Sequence, residues 1–408
     1  MLCRFDGLPL TKEFVDLGFS PPSNSFLTPE QLNQPEVYYP LKLFVSERSF
    51  LVQVDEHKKH DEIFTNDYVY FSSYSTSWLA HSKAYVEMMT KRFGFGPKSQ
   101  VIEIASNDGY LLQYFKEKGI PVLGIEPTSG TAAAAEAKGV ESWVEFFGVD
   151  LARKLVATGR QADLLLGNNV LAHVPDINDF VGGLRIALKT GGVITMEFPH
   201  LMQLVEHNQF DTIYHEHFSY LSLLAVKAIF AHHGLVIFDV EELPTHGGSL
   251  RIFARHQEDA AKTILPAVDQ LLQKEIGRGM NTLAYYESFQ HKVNLIKNGF
   301  LQFLLTAKQE GRSVAAYGAA AKGNTLLNYC GVKMDLIDFV VDANPFKQNK
   351  FLPGSHVPVV NEAVLKDRKP DYVVIFPWNI KDEIVKQLSY IRDWNGRFVT
   401  AIPGIQIF

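Results

Sequence analysis

The spacing of apolar and polar positions changes twice along this chain. Up to about residue 75 the apolar runs are short and alternating, as in Leu41-Lys42-Leu43-Phe44-Val45 and Phe50-Leu51-Val52-Gln53-Val54, among prolines and aromatics. That pattern predicts a small β-containing module. From Ser77 to Arg92 apolar residues recur at helical spacing, and Gln100-Val101-Ile102-Glu103-Ile104 then reads as a short buried strand that ends in Asn107-Asp108-Gly109. A helical segment, Tyr110 to Lys118, follows. Strand-like runs return at Val122 to Glu126, Asp163 to Leu166, Gly192 to Met196, Leu235 to Asp239 and Leu250 to Phe253. Strands alternating with helical stretches predict an α/β unit built on a doubly wound parallel sheet.

Between His256 and Gly311 the pattern becomes helical with few breakers, including Ala267 to Lys274 after Pro266 and Phe289 to Lys308. A second strand series follows in Ser313 to Gly318, Leu336 to Asp342, Tyr372 to Phe376 and Phe398 to Thr400. The expected division is a small module over 1–75, a central α/β domain over 76–256, and a helical connector with a Rossmann-like α/β domain over 257–408. Ala132 to Ala135 reads as helix, and no short-period repeat is present.

The length of 408 residues fits two or three domains, and 46% hydrophobic with 21% charged residues is enough apolar material for each to bury a core. Lys plus Arg number 39 against 45 Asp plus Glu, a net charge of −6 with no basic run, so neither nucleic acid nor an anionic membrane is an expected partner. The two cysteines, Cys3 and Cys330, can neither staple the domains nor fill a four-ligand zinc site alone. Together with the absence of a signal-like apolar segment after Met1 and of any run of about 20 apolar residues, this points to a soluble protein of the reducing cytoplasm.

Chemistry-bearing groups cluster in four places. Glu103 to Gly109 is a strand feeding a tight polar turn before a helix, where small residues such as Ala105 let backbone approach a ligand. Glu126 ends the next strand, where a carboxylate can accept from ribose hydroxyls. A dinucleotide site shares these features but would carry a complete G-x-G-x-x-G. Nucleoside binding, with S-adenosylmethionine (SAM) as the nucleoside, is therefore the reading favoured over a purely structural turn. Asn168 and Asn169 end the Asp163 strand at the same sheet edge, as ligand contacts or as loop caps.

Asp211-Thr212-Ile213-Tyr214-His215-Glu216-His217-Phe218 is dense in acid, base and phenol groups. Its H-x-H spacing does not match the helical zinc motif H-E-x-x-H, and an imidazole beside a carboxylate suits general acid/base work, with an exposed polar loop as the structural alternative. His173, in Leu171-Ala172-His173-Val174-Pro175, is a further candidate, or a loop histidine. Tyr68-Val69-Tyr70-Phe71-Ser72-Ser73-Tyr74-Ser75 groups phenols and hydroxyls that could equally be packing. Tyr317-Gly318-Ala319-Ala320-Ala321-Lys322-Gly323-Asn324 is a strand, small-residue turn and helix start that could cradle a phosphate without matching a Walker motif.

At these blocks the chain resembles the nucleotide-sugar C-3 methyltransferases, nearly end to end. The blocks include Asp16-Leu17-Gly18, Ser23-Asn24-Ser25-Phe26, the Tyr68 to Ser73 segment, Glu103 to Gly109, and Gly124-Ile125-Glu126-Pro127-Thr128. They continue through Asn169 to Pro175, Tyr214 to Phe218, His246-Gly247-Gly248-Ser249-Leu250-Arg251, Tyr317 to Lys322 and Asp342 to Asn349. The resemblance implies a small amino-terminal domain, a central class I methyltransferase-like domain that binds SAM, and a Rossmann-like domain that closes over a nucleoside-diphosphate 4-keto-6-deoxyhexose.

On the matching positions it implies His217 as base, with Glu216, Tyr214, His173 and Tyr70 lining the sugar. The expected cofactor contacts are Glu103, Ala105, Asn107, Gly109, Glu126, Asn168 and Asn169. Substrate contacts are expected from Tyr68, Ser72, Ser73, Lys322, Asn328, Lys347 and Asn349, with Lys322 assigned to the diphosphate. Small-molecule O- or N-methylation and nicotinamide-dependent sugar oxidoreduction are the rival activities.

The chain departs from the family at its amino terminus. Zinc there is usually held by two C-x-x-C pairs, but these positions read Cys3-Arg4-Phe5-Asp6 and Ser46-Glu47-Arg48-Ser49. Asp6 with His57 or His60 could contribute ligands, but serine hydroxyls bind zinc poorly, so no structural zinc is expected. The module should instead hold through Phe14, Leu17, Tyr39, Leu41 and Leu43 and by docking on the rest of the chain.

Overall fold

A computed structural model describes residues 1–57 and 71–408. The central sheet runs Leu235–Leu243, Ser249–His256, Leu188–Pro199, Ala162–Asn168, Val101–Ile104, Val122–Ile125, Ser142–Trp143. Numbered within the sheet by chain position, the order is 6-7-5-4-1-2-3. The first five strands are parallel and the sixth and seventh antiparallel to their neighbours, so the expectation of a parallel sheet is corrected at one edge. The physical reason is the link Pro244–Gly248, which is far too short for the crossover that a parallel partner requires. Register sets Arg251 opposite Glu241 on one neighbour and Glu197 on the other.

The third sheet runs Val359–Val360, Val340–Val341, Val314–Tyr317, Tyr372–Ile375, Arg397–Thr400, Gln406–Ile407, parallel except for the last strand. Its order is 3-2-1-4-5-6, so the strand order reverses between Val314–Tyr317 and Tyr372–Ile375. In the central sheet the reversal falls between Val101–Ile104 and Ala162–Asn168. Such reversals splay the loops after the two strands and leave a crevice where ligands bind. The strand expected over Leu336 to Asp342 shrinks to Val340–Val341 because Leu336 and Ile337 close a turn on Lys333.

The amino-terminal sheet pairs Lys12–Ser20, Tyr39–Val45 and Val52–Val54 with Ser219–Tyr220, a strand contributed from far along the chain. The run expected from Phe50 starts later, since Phe50 takes φ 55° in the turn after Ser46. Phe14 stacks on Phe289 at 4.8 Å, and Phe14, Leu17, Leu41 and Leu43 share one continuous core with the helix Phe289–Gln309 and the third sheet. The small sheet is therefore stabilised by docking, and the connector helix is the apolar wall on which it and the third sheet both pack. No helix among the described residues is long and apolar enough to cross a membrane.

Candidate active site

The turn after Val101–Ile104 is locally strained. Ala105, Asn107 and Gly109 alternate at φ 55°, 50° and 73°, a left-handed conformation that costs a non-glycine residue about 1 kcal/mol or more and tends to persist where function holds it. Two carboxylates face this turn. Glu126 is buried; its Oε2 accepts from the Asn107 amide at 2.9 Å, and its Oε1 from the Thr128 amide at 2.9 Å and hydroxyl at 2.5 Å. A carboxylate has about four acceptor positions, so one on Oε2 remains for a ribose hydroxyl rather than the pair first expected.

Glu103 is wholly buried; among the described residues its oxygens make no close hydrogen bond, and the neighbouring Tyr110 phenol offsets its burial only in part. Burial, with Asp108 and Glu126 nearby, pushes its carboxyl well above the ordinary range. Ser106 Oγ, Asp108 Oδ1 and Asn169 Oδ1 are also buried and unpartnered. Buried polar groups are normally satisfied, so such a concentration at one sheet edge marks a place that awaits a polar ligand. A nucleoside carrying an ammonium and a sulfonium fits this donor set. SAM would be held by Glu126 at the ribose, by the Ala105 to Gly109 backbone, and by Glu103 and the Asn168-Asn169 edge.

The Asn168 side-chain amide donates to the Tyr110 hydroxyl at 3.5 Å, and Asn169 is left-handed, its backbone amide bonded to the Glu197 carbonyl. Ser72 and Ser73, expected at the sugar, are drawn instead to the Ala105 to Gly109 turn. The Ser72 amide donates to Asn107 Oδ1 at 2.9 Å, and the Ser73 hydroxyl donates to Asp108, which also pairs with Lys138 at 2.9 Å. Tyr68, Tyr70 and His60 lie outside the described residues.

A second group of side chains forms where Phe210–Thr212 leads into the loop before Ser219–Tyr220. His217 is buried, its ring 4.0 Å from that of Tyr214 and 4.6 Å from that of His173. Its Nδ1–H donates to the Thr212 carbonyl at 3.1 Å, which leaves Nε2 as the basic nitrogen. Burial, then the neighbouring His173, push the imidazole well below 6.5. His173 donates Nδ1–H to the Glu216 carbonyl at 2.8 Å, and burial lowers it to about 4.

Glu216 is held by Asn24, whose amide donates to both carboxylate oxygens at 2.8 and 3.0 Å. His215 turns the other way and donates to the Pro40 carbonyl at 3.1 Å, so the H-x-H pair does not converge on one point.

The third sheet reaches into this group. Thr325 Oγ1 donates to the Ile213 carbonyl at 2.7 Å, and the Trp378 indole N–H donates to Asp211 at 2.7 Å. Lys322 lies 4.4 Å over the Trp378 ring and donates to Asn379 Oδ1 at 2.7 Å. Lys347 donates to the Ala319 carbonyl at 2.8 Å, beside the turn that opens the helix Ala321–Cys330. Asn328 is consumed structurally by the Asn324 and Pro353 carbonyls, and Asn349 occupies a left-handed turn at φ 64°.

Several groups here escape a reading by motif. Glu197, fully buried, accepts from His81, Thr245 and Arg251. Burial works to raise its carboxyl, but the His81 hydrogen bond and the Arg251 charge outweigh it and hold it below the ordinary range. Trp78 stacks on His81 at 4.9 Å and meets His246 edge-on at 5.1 Å. His246 takes φ 56° before two glycines, and its Nδ1 is buried without a partner. The available signal was a charged residue closing an apolar strand, in Met196-Glu197-Phe198, and a histidine set before Gly247-Gly248.

The family's zinc position is filled differently. Cys3 Sγ accepts from Gln53 Nε2 at 3.1 Å and lies 3.9 Å from Ser49 Oγ, and the Ser46 hydroxyl donates to Asp6 at 3.1 Å. One thiol, one carboxylate and two hydroxyls, tied to each other, are not a zinc donor set. Among the described residues no group of three or more His, Cys, Asp or Glu side chains could hold a metal.

A sheet of order 3-2-1-4-5-7-6 with its seventh strand antiparallel, and a strained polar turn after its first strand, defines a class I SAM-dependent methyltransferase. Family profiles match in three blocks: "Putative zinc binding domain" over residues 3–64, "Methyltransferase domain" over 80–240 and "C-methyltransferase C-terminal domain" over 244–403. The C-methyltransferase NovU of Streptomyces niveus is 31% identical over 401 residues, covering 98% of this chain and 95% of that protein. Solved structures similar over part of the chain include the PH0226 protein of Pyrococcus horikoshii OT3 (15% identity, 46% of this chain, 94% of that one, TM-score 0.39). Another is the magnesium protoporphyrin IX methyltransferase of Synechocystis PCC 6803 with bound SAM (14% identity, 46% and 85%, TM-score 0.34). The chain belongs to the sugar C-methyltransferase family and is a SAM-dependent C-methyltransferase.

Proposed function

We propose that the enzyme methylates carbon 3 of a nucleoside-diphosphate 4-keto-6-deoxyhexose, in the synthesis of a branched deoxysugar in the cytoplasm. The observation that carries this reading is the buried, neutral imidazole of His217, packed against Tyr214 and His173. A carbon has no lone pair to offer a methyl donor, so the acceptor must first be made nucleophilic. A ketone at carbon 4 does this by acidifying the proton on carbon 3.

His217 takes that proton at Nε2, since Nδ1 is committed to Thr212. The electron pair moves into a carbon–carbon double bond, with negative charge on the former carbonyl oxygen. Burial keeps His217 unprotonated and ready at neutral pH. Tyr214 and Tyr70 donate to the sugar oxygens, His173, whose Nδ1–H is held by the Glu216 carbonyl, accepts from a sugar hydroxyl at Nε2, and Glu216, steadied by Asn24, binds a sugar hydroxyl or orients the base. When bound, SAM supplies an electrophilic methyl group on a positive sulfonium. Lys347, beside the opening turn of the helix Ala321–Cys330, supports a diphosphate-binding role for that end of the third sheet.

The substrate is the expected partner, and the acidic net charge of −6 argues against nucleic acid or an anionic membrane. The decisive experiment incubates the enzyme and SAM with a panel of thymidine- and guanosine-diphosphate 4-keto sugars and reads a gain of one methyl group by mass spectrometry. Carbon-3 deuterium uptake from heavy water in the presence of S-adenosylhomocysteine should accompany it. Transfer to oxygen or nitrogen without carbon-3 exchange would overturn the reading.

A further inference from the structure

We infer that Lys322 is a catalytic residue whose ammonium stabilises the oxyanion formed on the substrate carbonyl when His217 removes the adjacent proton. This rests on the keto-sugar reading above and reassigns a residue that the sequence placed on the diphosphate.

Lys322 stands where a strand of the third sheet gives way to a helix. It lies in the first turn of the helix Ala321–Cys330, directly after Val314–Tyr317, and the neighbouring strand Tyr372–Ile375 leads into Trp378 and Asn379. Lys322, Trp378 and Asn379 thus share the crevice where the third sheet reverses its order. Trp378 bonds Asp211, six residues before His217, so this crevice opens onto the loop that carries the base. The turn is packed tightly against the neighbouring strand's end: a side chain at Gly318 would meet Pro377 at 2.5 Å, and one at Gly323 would meet the Phe376 ring at 2.4 Å.

The charge of Lys322 then decides the chemistry. It makes no ion pair within 4 Å among the described residues, whereas Lys347 pairs with Asp342 at 3.5 Å. One N–H goes to Asn379 and the Trp378 face covers one side. The charged and titratable groups that feel the remainder are Asp211, His217 and His246, three residues of the central unit. A cation there disfavours a second positive charge on His217 in the resting enzyme. It favours negative charge appearing on a substrate between them, which is the change proton abstraction brings about.

In balance, the carbon-3 to hydrogen bond breaks, and the proton goes to His217 Nε2. The electron pair forms the carbon–carbon double bond, and the oxyanion settles against the ammonium. Methyl transfer then draws the pair back to carbon 3 and restores the carbonyl. A fixed donor aimed at developing charge contributes more to the transition state than to ground-state binding. Burial lowers Lys322 to about 8, with Asp211 opposing, so the protonated form dominates at pH 7 and thins as pH rises through that value.

The experiment measures carbon-3 deuterium exchange and methyl transfer on a nucleoside-diphosphate 4-keto sugar by wild type, Lys322→Gln and Lys322→Arg, with S-adenosylhomocysteine affinity as the control for folding. Lys322→Gln should slow both at saturating sugar by on the order of 10²–10³-fold, with KM changed only a few-fold. Lys322→Arg should recover part of the rate and move the alkaline limb near pH 8 upward. A tenfold or greater rise in KM with exchange unchanged at saturation would make Lys322 a diphosphate ligand and overturn the inference, as would wild-type kinetics in Lys322→Gln. A wild-type enzyme that exchanges no carbon-3 proton on any keto sugar, yet methylates another substrate, would overturn the keto-sugar reading and this role with it.

Discussion

Replacing His217 with asparagine isolates its basic nitrogen from its structural part. The ring is buried against Tyr214 and His173, and its Nδ1–H secures the loop through the Thr212 carbonyl at 3.1 Å. An asparagine amide can still donate to that carbonyl, so the loop keeps its tie and only Nε2 is lost. Alanine would also leave a hole, and large-to-small changes in a core cost about 2–5 kcal/mol of stability, which would blur the result.

Loss of a positioned general base typically slows a reaction about 10²–10⁴-fold, and at about 1.4 kcal/mol per decade this is roughly 3–5 kcal/mol of transition-state stabilisation. The orphaned polar atoms around the Ala105 to Gly109 turn are not in the loop that carries His217, so affinity for S-adenosylhomocysteine should stay within a few-fold. Two assays are needed, methyl transfer by mass spectrometry and carbon-3 exchange in heavy water, both at saturating sugar. His217→Asn with turnover within tenfold of wild type would refute the assignment. Transfer lost with exchange intact would show that His217 acts after proton removal, and Tyr214 and His173 would then be the bases to examine.

Glu126→Ala should weaken S-adenosylhomocysteine binding by about 1.5–3 kcal/mol and lower the melting temperature, because the Asn107 and Thr128 amides lose their acceptor; calorimetric titration at several temperatures separates the two effects. The purified protein should carry no stoichiometric zinc, and a chelator should leave its melting temperature unchanged. The triple change Asp6→Cys, Ser46→Cys, Ser49→Cys should create a site that takes up one equivalent by elemental analysis, since Cys3 Sγ already stands 3.9 Å from Ser49 Oγ, a spacing close to that of thiolates around one zinc. His246, lowered to about 4 by burial, is neutral in the native state while the unfolded chain protonates near 6.5. The unfolded chain therefore binds more protons in that window, and stability falls as pH drops from about 6.5 to 4, by up to roughly 3 kcal/mol from this group. Asp211, raised to about 6, acts in the opposite sense, so His246→Asn should flatten the acid limb of the melting curve and Asp211→Asn should steepen it.

Much of the central architecture was legible because a buried strand announces itself as a short apolar run, and the runs from Val101, Val122 and Leu164 became neighbours as the alternating pattern predicts. The Glu103 turn and the Tyr214–His217 cluster were legible too, since few structural roles need so many polar groups in so little chain. Strand direction at the sheet edge was not: Leu235–Leu243 and Ser249–His256 look like any other apolar runs, and only the short link between them makes them antiparallel.

The sequence by itself determined the fold class, the polar turn after the first central strand and the loss of three of the four zinc-type cysteines, because each is written in local residue types. Which distant residues meet was decided by the tertiary structure alone. Asn24 reaches Glu216, Thr325 reaches Ile213 and Trp378 reaches Asp211 only because the amino-terminal and third sheets share one core around the helix Phe289–Gln309. Ser73 was drawn to Asp108 and Lys322 onto the Trp378 face for the same reason: a side chain's contacts follow from the space it is packed into, and no run of neighbours along the chain encodes that space.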